Sequence, residues 1–243
     1  MNLSFEALLI LGVLGFYLYD SAILLFSNEL VFIKSYGKWS VSFPSARWRF
    51  MGKLLFLPNP FTPFNLVFLT PWATKDSESK NKSKDISKLL VVMPYLRISV
   101  MALMFLLVIA LPTVIFKLGI GMPALLVLSL IYLTVINMLY YVYIKKEDLE
   151  LSNKAFAELA FEAIACPPFA LNLIRNISLR HSLCINPVDF AAEKLKNEDF
   201  KKFIEMLDEK LPEKLELEDE ESSPRSIELI KYREKINGMT YER

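Results

Sequence analysis

The sequence predicts an α-helical integral membrane protein with three transmembrane helices, a small cytoplasmic β-rich loop region and a helical cytoplasmic C-terminal region. Of its 243 residues, 53% are hydrophobic, whereas an ordinary soluble domain has about 45–50%. The excess lies in three apolar runs, at 3–26, 98–116 and 122–144. Each run is close to the roughly 20 residues that a helix needs to cross the hydrocarbon core of a bilayer.

The distribution of Lys and Arg predicts how the three runs are oriented. Segment 27–97, between the first two runs, is rich in Lys and Arg and poor in Asp and Glu, and Lys145-Lys146 follows the third run. Because basic residues near the ends of transmembrane helices stay on the cytoplasmic side, we expect an outside N-terminus and a cytoplasmic C-terminus. Residues 117–121 then form a short outside turn. This pattern is typical of a multi-pass protein of the bacterial inner (cytoplasmic) membrane.

The first run is predicted to be a retained anchor, because no basic residue precedes it and no small-x-small cleavage site follows Phe26. With this anchor the chain divides into six segments. They are a first transmembrane helix at 1–26, a cytoplasmic β-rich segment at 27–74, a basic linker at 75–97, a transmembrane helical hairpin at 98–144, a cytoplasmic helical region with an interfacial helix at 145–211, and an acidic linker with a C-terminal helix at 212–243.

The β-rich segment is recognised by its alternation. Residues 29–57 alternate in hydrophobicity and are rich in Val, Phe, Ile and Trp, which predicts a small sheet of two or three strands with a turn at Ser35-Tyr36-Gly37. A further short strand is expected at 66–69. The Lys-rich and Ser-rich stretch that follows, 75–88, has too little apolar surface to offset the entropy of ordering, so it is predicted to be a mobile linker.

Apolar residues recur at helical spacing after the third run, which predicts cytoplasmic helices. The first of them is expected to continue the third transmembrane helix until Cys166-Pro167-Pro168 breaks it. Asn186-Pro187 supplies an N-cap and a first-turn proline for a later helix.

Residues 168–183 are predicted to form an interfacial helix that lies on the inner membrane surface. Phe169, Leu173 and Ile177 share an apolar face, and Arg175 and Arg180 are suited to lipid headgroups. The alternative is burial in a protein core, because an amphipathic stripe is more often core than membrane contact.

Four polar residues in the apolar runs are candidate contacts inside the membrane. Glu6, Tyr17 and Asp20 lie in the first run, and Asn137 lies in the third. A charge near the bilayer centre costs about 2.5–3.5 kcal/mol on insertion scales, so Glu6 and Asp20 are expected to face protein. One interpretation is an ion or proton path; the favoured one places Glu6 at the outer interface and pairs Asp20 with a basic residue or a tyrosine. Asn137 is expected to bond across to another helix.

Charge and motifs argue against several functional classes. A formal net charge of +1 argues against a nucleic-acid-binding protein, because phosphate binding needs a strongly basic face. Cys166, His181 and Cys184 lack the ligand number and spacing of a zinc site, so no metal or cofactor is expected. The sequence contains no glycine-rich phosphate loop, no G-x-S-x-G and no H-E-x-x-H, and we assign no catalytic residue.

The resulting hypothesis is a non-catalytic inner-membrane subunit or scaffold of a multi-protein envelope complex. Its expected partners are the lipid bilayer and other membrane-protein subunits. A channel or transport component whose path forms between subunits is the alternative, because three spans are too few for a pseudo-symmetric transporter in one chain. A membrane-bound enzyme of lipid or glycan metabolism is the third hypothesis.

Overall fold

A computed structural model of the chain describes residues 4–44, 49–71, 79–181 and 186–217. The described part is mostly helical, with a small sheet region. Its α-helices are α1 (Phe5–Ser21), α2 (Ser79–Met104), α3 (Leu111–Leu118), α4 (Met122–Ile144), α5 (Asn153–Ala165), α6 (Leu173–Leu179), α7 (Pro187–Lys194) and α8 (Asn197–Leu217). A π-helical segment, Phe105–Ala110, joins α2 to α3, and a 3-10 segment, Pro167–Asn172, precedes α6.

Two of the described helical stretches are long and apolar enough to cross a membrane, Ile86–Leu118 and Met122–Ile144. The second coincides with the third apolar run. The first contains the second apolar run, 98–116, and is longer than that run, because its helix already begins at Ser79. From that residue onward, therefore, the expected linker is helical: Ile86, Leu89 and further residues at helical spacing form a buried stripe.

The first apolar run is not one helix over its whole length. Ser4 caps α1 by accepting a hydrogen bond from the backbone N–H of Ala7, and α1 ends at Ser21. The last part of the run, Ile23–Leu25, is instead a strand that pairs with 54–56. Hydrophobicity alone does not separate a helix from a buried strand, so the sequence pattern placed the boundary too late.

Pro112 lies just after the π-helical segment, at the start of α3. A proline lacks the N–H that would bond the carbonyl four residues earlier, and its ring crowds that carbonyl. The carbonyl concerned belongs to Val108, which lies inside the π-helical segment. The irregular turn of the helix therefore has an identifiable cause in the sequence.

In the described part of the chain, two antiparallel sheets of three strands follow α1. The first sheet contains the strands that the alternation predicted, and the second was not predicted from the sequence. The first sheet has the order β3-β2-β6 and the second the order β1-β5-β4. The strands are β1 (Ile23–Leu25), β2 (Glu29–Lys34), β3 (Trp39–Ser42), β4 (Arg49–Phe50), β5 (Lys53–Phe56) and β6 (Leu66–Pro71).

The first sheet is covered on both faces, because successive side chains of a strand point to opposite sides. Phe32, fully buried, lies on the side of α7 and α8, with its ring centroid 4.9 Å from that of Phe190. Val31 and Val67, also fully buried, pack with Leu25 of the second sheet. Helices therefore cover one face of the first sheet and the second sheet covers the other.

The described helices of the C-terminal region begin and end at the predicted signals, with two corrections. Helix α5 is not a continuation of α4: a turn separates them, Glu150 has a φ of 49°, and Ser152 caps the new helix. Helix α8 runs to Leu217, so the beginning of the expected acidic linker is helical. The expected C-terminal helix lies outside the described residues.

The expectation of an interfacial helix is corrected by the position of α6. Leu173, Arg175 and Ile177 are each at most 2% exposed, and the helix packs against β6 and α2. Protein therefore covers the face that was expected to lie on lipid. Phe169 lies in the 3-10 segment, half-buried, and Arg180 pairs with Glu158 at 3.4 Å. Residues 182 and 183 lie outside the described residues.

Candidate functional site

The most concentrated group of buried polar side chains lies where α1 ends; we call it the polar junction. It consists of Tyr17, Asp20, Ser21, Asn172 and Arg175. The prolines at 167 and 168 end α5 and start the 3-10 segment, which brings Asn172 against the last turn of α1. An edge-to-face contact of Phe16 with Phe169, 6.2 Å between ring centroids, packs beside it. The junction thus joins α1 to the C-terminal region.

Asn172, fully buried, links the two charged side chains of the junction. Its Nδ2 donates to Asp20 Oδ2 at 2.9 Å, and its Oδ1 accepts from Arg175 Nη1 at 2.9 Å. Ser21 Oγ donates to the carbonyl of Tyr17 at 2.8 Å and lies 3.0 Å from the Asn172 amide nitrogen. One amide therefore relays the contact between a carboxylate and a guanidinium that form no direct ion pair.

Arg175 is 1% exposed and holds three segments together. Besides Asn172, it contacts the carbonyl oxygen of Asn59, with Nη2 at 3.4 Å, while its Nε has no hydrogen-bond partner among the described residues. Burial is the main reason why the pKa of Arg175 lies below its usual value, although an arginine stays protonated in a protein. The Tyr17 hydroxyl donates to the carbonyl of Pro60 in the same loop.

The structure brings two of the four predicted intramembrane contacts together and separates the others. Tyr17 and Asp20 both belong to the polar junction. Glu6 lies in the first turn of α1, at the opposite end of that helix. Asn137 on α4 donates from Nδ2 to the hydroxyl of Tyr95 on α2 at 2.7 Å. These contacts join segments of one chain, and they form no continuous polar line along α1.

Sequence reasoning missed the role of Asn172 and assigned Arg175 to lipid headgroups. The sequence did contain a pattern that could have linked Asn172 to Arg175: the two residues are three apart and lie on one side of a helical turn directly after a double proline. What covers that side was not visible in the sequence.

The cysteine and the histidine that the structure describes, Cys166 and His181, are not members of the polar junction. Cys166 is half-buried, and burial raises the pKa of its thiol, so the reactive thiolate is disfavoured. His181 follows α6, and its Nδ1 lies 3.0 Å from the carbonyl oxygen of Ile177. Within the described ranges, no group of three or more His, Cys, Asp and Glu residues could hold a metal ion. Cys184 lies outside those ranges.

A second candidate site is apolar: the outer face of the second sheet, formed by Leu24, Phe26, Phe50, Leu55 and Leu57. The strand register pairs Leu24 with Leu55, and Phe50 with Lys53. The Lys53 ammonium lies 4.5 Å from the ring centroid of Phe26. Leu24 is 40% exposed, Phe26 52% and Phe50 57%. Neighbouring large apolar side chains are therefore open on this face, with one cation among them.

A cavity of about 280 Å³ lies between α1, α3 and α4. Leu9, Leu111 and Leu125 are among its lining residues, and no polar side chain lines it. It offers apolar contact and no hydrogen-bonding group.

Comparison with protein-family models, with curated proteins and with solved structures finds no match to this chain. The geometry of the described residues therefore carries the functional argument. It offers an apolar helical part, a polar junction that fixes α1 to the rest, and an open apolar sheet face.

Proposed function

We propose that the chain is a non-catalytic subunit or scaffold of a complex in the bacterial inner membrane. It crosses the membrane three times, with its N-terminus outside and its C-terminus in the cytoplasm. The outer face of the second sheet binds another protein subunit. The observation that carries the proposal is this open apolar face on a part of the chain that is tied to apolar helices.

The exposure of the apolar helices supports a membrane position. Only 28% of the most apolar window is buried in each of Ile86–Leu118 and Met122–Ile144. A core helix of a soluble protein would be mostly buried, and soluble proteins rarely expose such long apolar faces to water. Helix α1 lies alongside them, since Leu9 and Leu125 line the same cavity. At 1.5 Å per residue its 17 residues span about 26 Å, close to the thickness of a hydrocarbon core.

The polar junction also supports a scaffold, because it fixes the sheet region relative to α1. It ties the end of α1 to the loop that follows β5 and to α6, through Asn172 and Arg175. Sheet and helices are thereby held in a fixed position relative to α1. A scaffold needs such a connection, because a docking face is useful only if its orientation relative to the membrane is defined.

The outer face of the second sheet fits a protein partner. Adjacent exposed Phe and Leu side chains of this kind mark interaction sites, and aromatic residues are enriched at protein interfaces. Lys53, on this face beside Phe26, supplies a charge that selects an acidic or aromatic group on the partner.

The docking test compares exposed phenylalanines on and off this face. Phe26→Ser and Phe50→Ser remove side chains on the face, and Phe161→Ser on α5 removes one that is 75% exposed elsewhere. Tagged protein is purified from native membranes in mild detergent, and the co-purifying chains are identified and quantified.

We expect one chain to co-purify in a fixed ratio with wild type and with Phe161→Ser, and to be reduced by at least about tenfold in Phe26→Ser/Phe50→Ser, as hot-spot aromatics contribute about 2 kcal/mol or more. Equal recovery in all variants contradicts docking at this face. A cysteine at position 24 tests whether a terminal segment of this chain covers the face instead. Cross-linking of that cysteine to such a segment contradicts the proposal of a partner subunit.

Orientation is tested separately with single cysteines in a cysteine-free background. A cysteine at Ile120, which is 59% exposed, should react with an impermeant reagent in intact cells. A cysteine at Gly37, exposed in the turn between β2 and β3, should react only after the membrane is opened. The reverse pattern contradicts the proposed topology.

A further inference from the structure

Lys34 and Arg97 meet where the turn between β2 and β3 lies on α2; we call them the cation pair. Arg97 Nη2 donates to the carbonyl oxygen of Lys34 at 3.3 Å. The guanidinium lies 5.0 Å from the ring centroid of Tyr36, and the Tyr36 hydroxyl donates to Met101 Sδ at 3.0 Å. Backbone and ring contacts thus hold the Arg97 guanidinium against the turn that begins after Lys34.

The cation pair has no carboxylate partner among the described residues. The ion pairs Lys145–Asp148, Arg180–Glu158 and Lys194–Glu193 do not include Lys34 or Arg97. Arg97 is 8% exposed, and its Nε has no hydrogen-bond partner in the part of the chain that the structure describes. A buried charge without a counter-charge is unfavourable.

Among the described residues, the two charged groups that act on Lys34 are cations. Burial, and after it repulsion by Arg97 and Lys194, lowers the pKa of Lys34. Its ammonium lies 5.1 Å from the ring centroid of Trp39, which is a weak attraction compared with a full negative charge. An anion beside Lys34 and Arg97 would relieve this repulsion and satisfy the free donor of Arg97.

The depth of the cation pair matches lipid headgroups. Arg97 lies 21 residues before Leu118, the end of α3; at 1.5 Å per residue this is about 32 Å, the thickness of a hydrocarbon core. Tyr95 and Tyr141, with ring centroids 4.3 Å apart, lie at the same level, as expected for the aromatic belt at a membrane interface. Ile98, one residue further towards Leu118, is 69% exposed.

We propose that Lys34 and Arg97 bind the phosphate of an anionic phospholipid in the leaflet nearest the sheets. The phosphate oxygens accept hydrogen bonds from the guanidinium and the ammonium, and the exposed side chains of Ile98 and Met101 contact the acyl chains. The inference rests on the proposed membrane position and adds a specific lipid site to it.

The test measures lipid retained by the full chain. Protein purified in mild detergent is titrated with phosphatidylglycerol or phosphatidylcholine, and bound lipids are counted by native mass spectrometry. Lys34→Gln, at a half-buried position, removes one cation. Lys145→Gln is the matched control, because that lysine follows α4 and already has a carboxylate partner at 3.2 Å.

We expect wild type and Lys145→Gln to bind phosphatidylglycerol in preference to phosphatidylcholine. Lys34→Gln should weaken phosphatidylglycerol binding about fivefold, the effect of one basic residue near an anionic surface. Arg97→Lys keeps the charge and should retain the preference, while Arg97→Gln should lose it. Unchanged phosphatidylglycerol binding by Lys34→Gln overturns the site, even if Arg97→Gln fails to fold.

Two further outcomes separate the sources of the phosphate and the two proposals. If inorganic phosphate at millimolar concentration displaces phosphatidylglycerol from wild type and from Lys145→Gln alike, the site serves free phosphate and the lipid assignment is overturned. If wild type retains lipid without headgroup preference, only this inference fails. If wild type is washed from membranes by alkaline carbonate and retains no lipid, the membrane position fails as well.

Discussion

The two sheets have the same number of strands and the same antiparallel pairing, but protein covers them differently. In the first sheet, helices bury Phe32 on one face and the second sheet buries Val31 on the other. In the second sheet, Leu25 is fully buried, whereas its neighbour Leu24 is 40% exposed. Apolar residues on the open face contribute little to folding and remain free for contacts with other molecules. The difference shows that alternation in a strand does not by itself identify which faces are buried.

The largest expected effect is at a phenylalanine of the first sheet. Phe32→Ala should lower the free energy of unfolding by about 3–5 kcal/mol, because it leaves a cavity between Phe190 and Phe203. Phe26→Ala in the second sheet should lower it by less than about 1 kcal/mol, since it removes mainly an exposed contact with Lys53. Denaturant unfolding in mixed micelles, followed by tryptophan fluorescence, measures both. Equal losses would contradict the difference between the two sheets.

The next effect concerns the polar junction, which ties the second sheet to the rest of the chain. Asn172→Ala should cost about 1.5–3 kcal/mol, because Arg175 loses a buried hydrogen bond and Asp20 loses another. Asn153→Ala, at an exposed position that contacts Lys146, is the control and should stay within about 0.5 kcal/mol.

Hydrogen exchange locates the consequence of the Asn172 substitution. Strand β1 follows directly on α1, and α6 lies along β6, where Ser178 accepts a hydrogen bond from the Val67 amide at 2.9 Å. We therefore expect faster exchange in β1 and β5, with little change in β2. Uniform acceleration in both sheets would mean that the junction supports the whole fold and not the attachment of the second sheet.

The smallest expected effect is in the turn that joins β4 to β5. Met51 has a φ of 49° and Gly52 a φ of 77°, which is the backbone of a two-residue turn that favours Asn-Gly. Gly52→Ala should destabilise the second sheet by about 1 kcal/mol through backbone strain alone, since open space surrounds that position. Met51→Asn should stabilise it by a few tenths of a kcal/mol. Exchange protection of β5 amides measures both, and changes of the same sign would contradict this explanation.

Local signals in the sequence predicted a substantial part of the fold. The run at 122–144 coincides with α4, and the alternation in 29–57 identified β2 and β3. The signal at Asn186-Pro187 marks the start of α7, where the Asn186 side chain accepts from the Val188 amide at 3.0 Å. These predictions depend on spacing and capping between near neighbours, which the sequence contains in full.

The candidate sites depended on contacts between distant segments. Asp20 and Asn172 are far apart along the chain, and so are Lys34 and Arg97. An amphipathic pattern shows that the apolar face of a helix must be covered, but either lipid or protein can cover it. For this reason the sequence allowed the prediction that α6 lies at the membrane surface.

The sequence by itself determined the apolar helices, the strands of the first sheet and the helix boundaries marked by prolines and caps. Only the tertiary structure decided that Ile23–Leu25 pairs as a strand, that Arg175 is enclosed by protein, and that Arg97 contacts the backbone of Lys34 with no carboxylate partner among the described residues. The physical reason is that periodicity and capping act within a few residues of the chain, whereas burial and charge pairing are set by whichever distant segment packs against a residue.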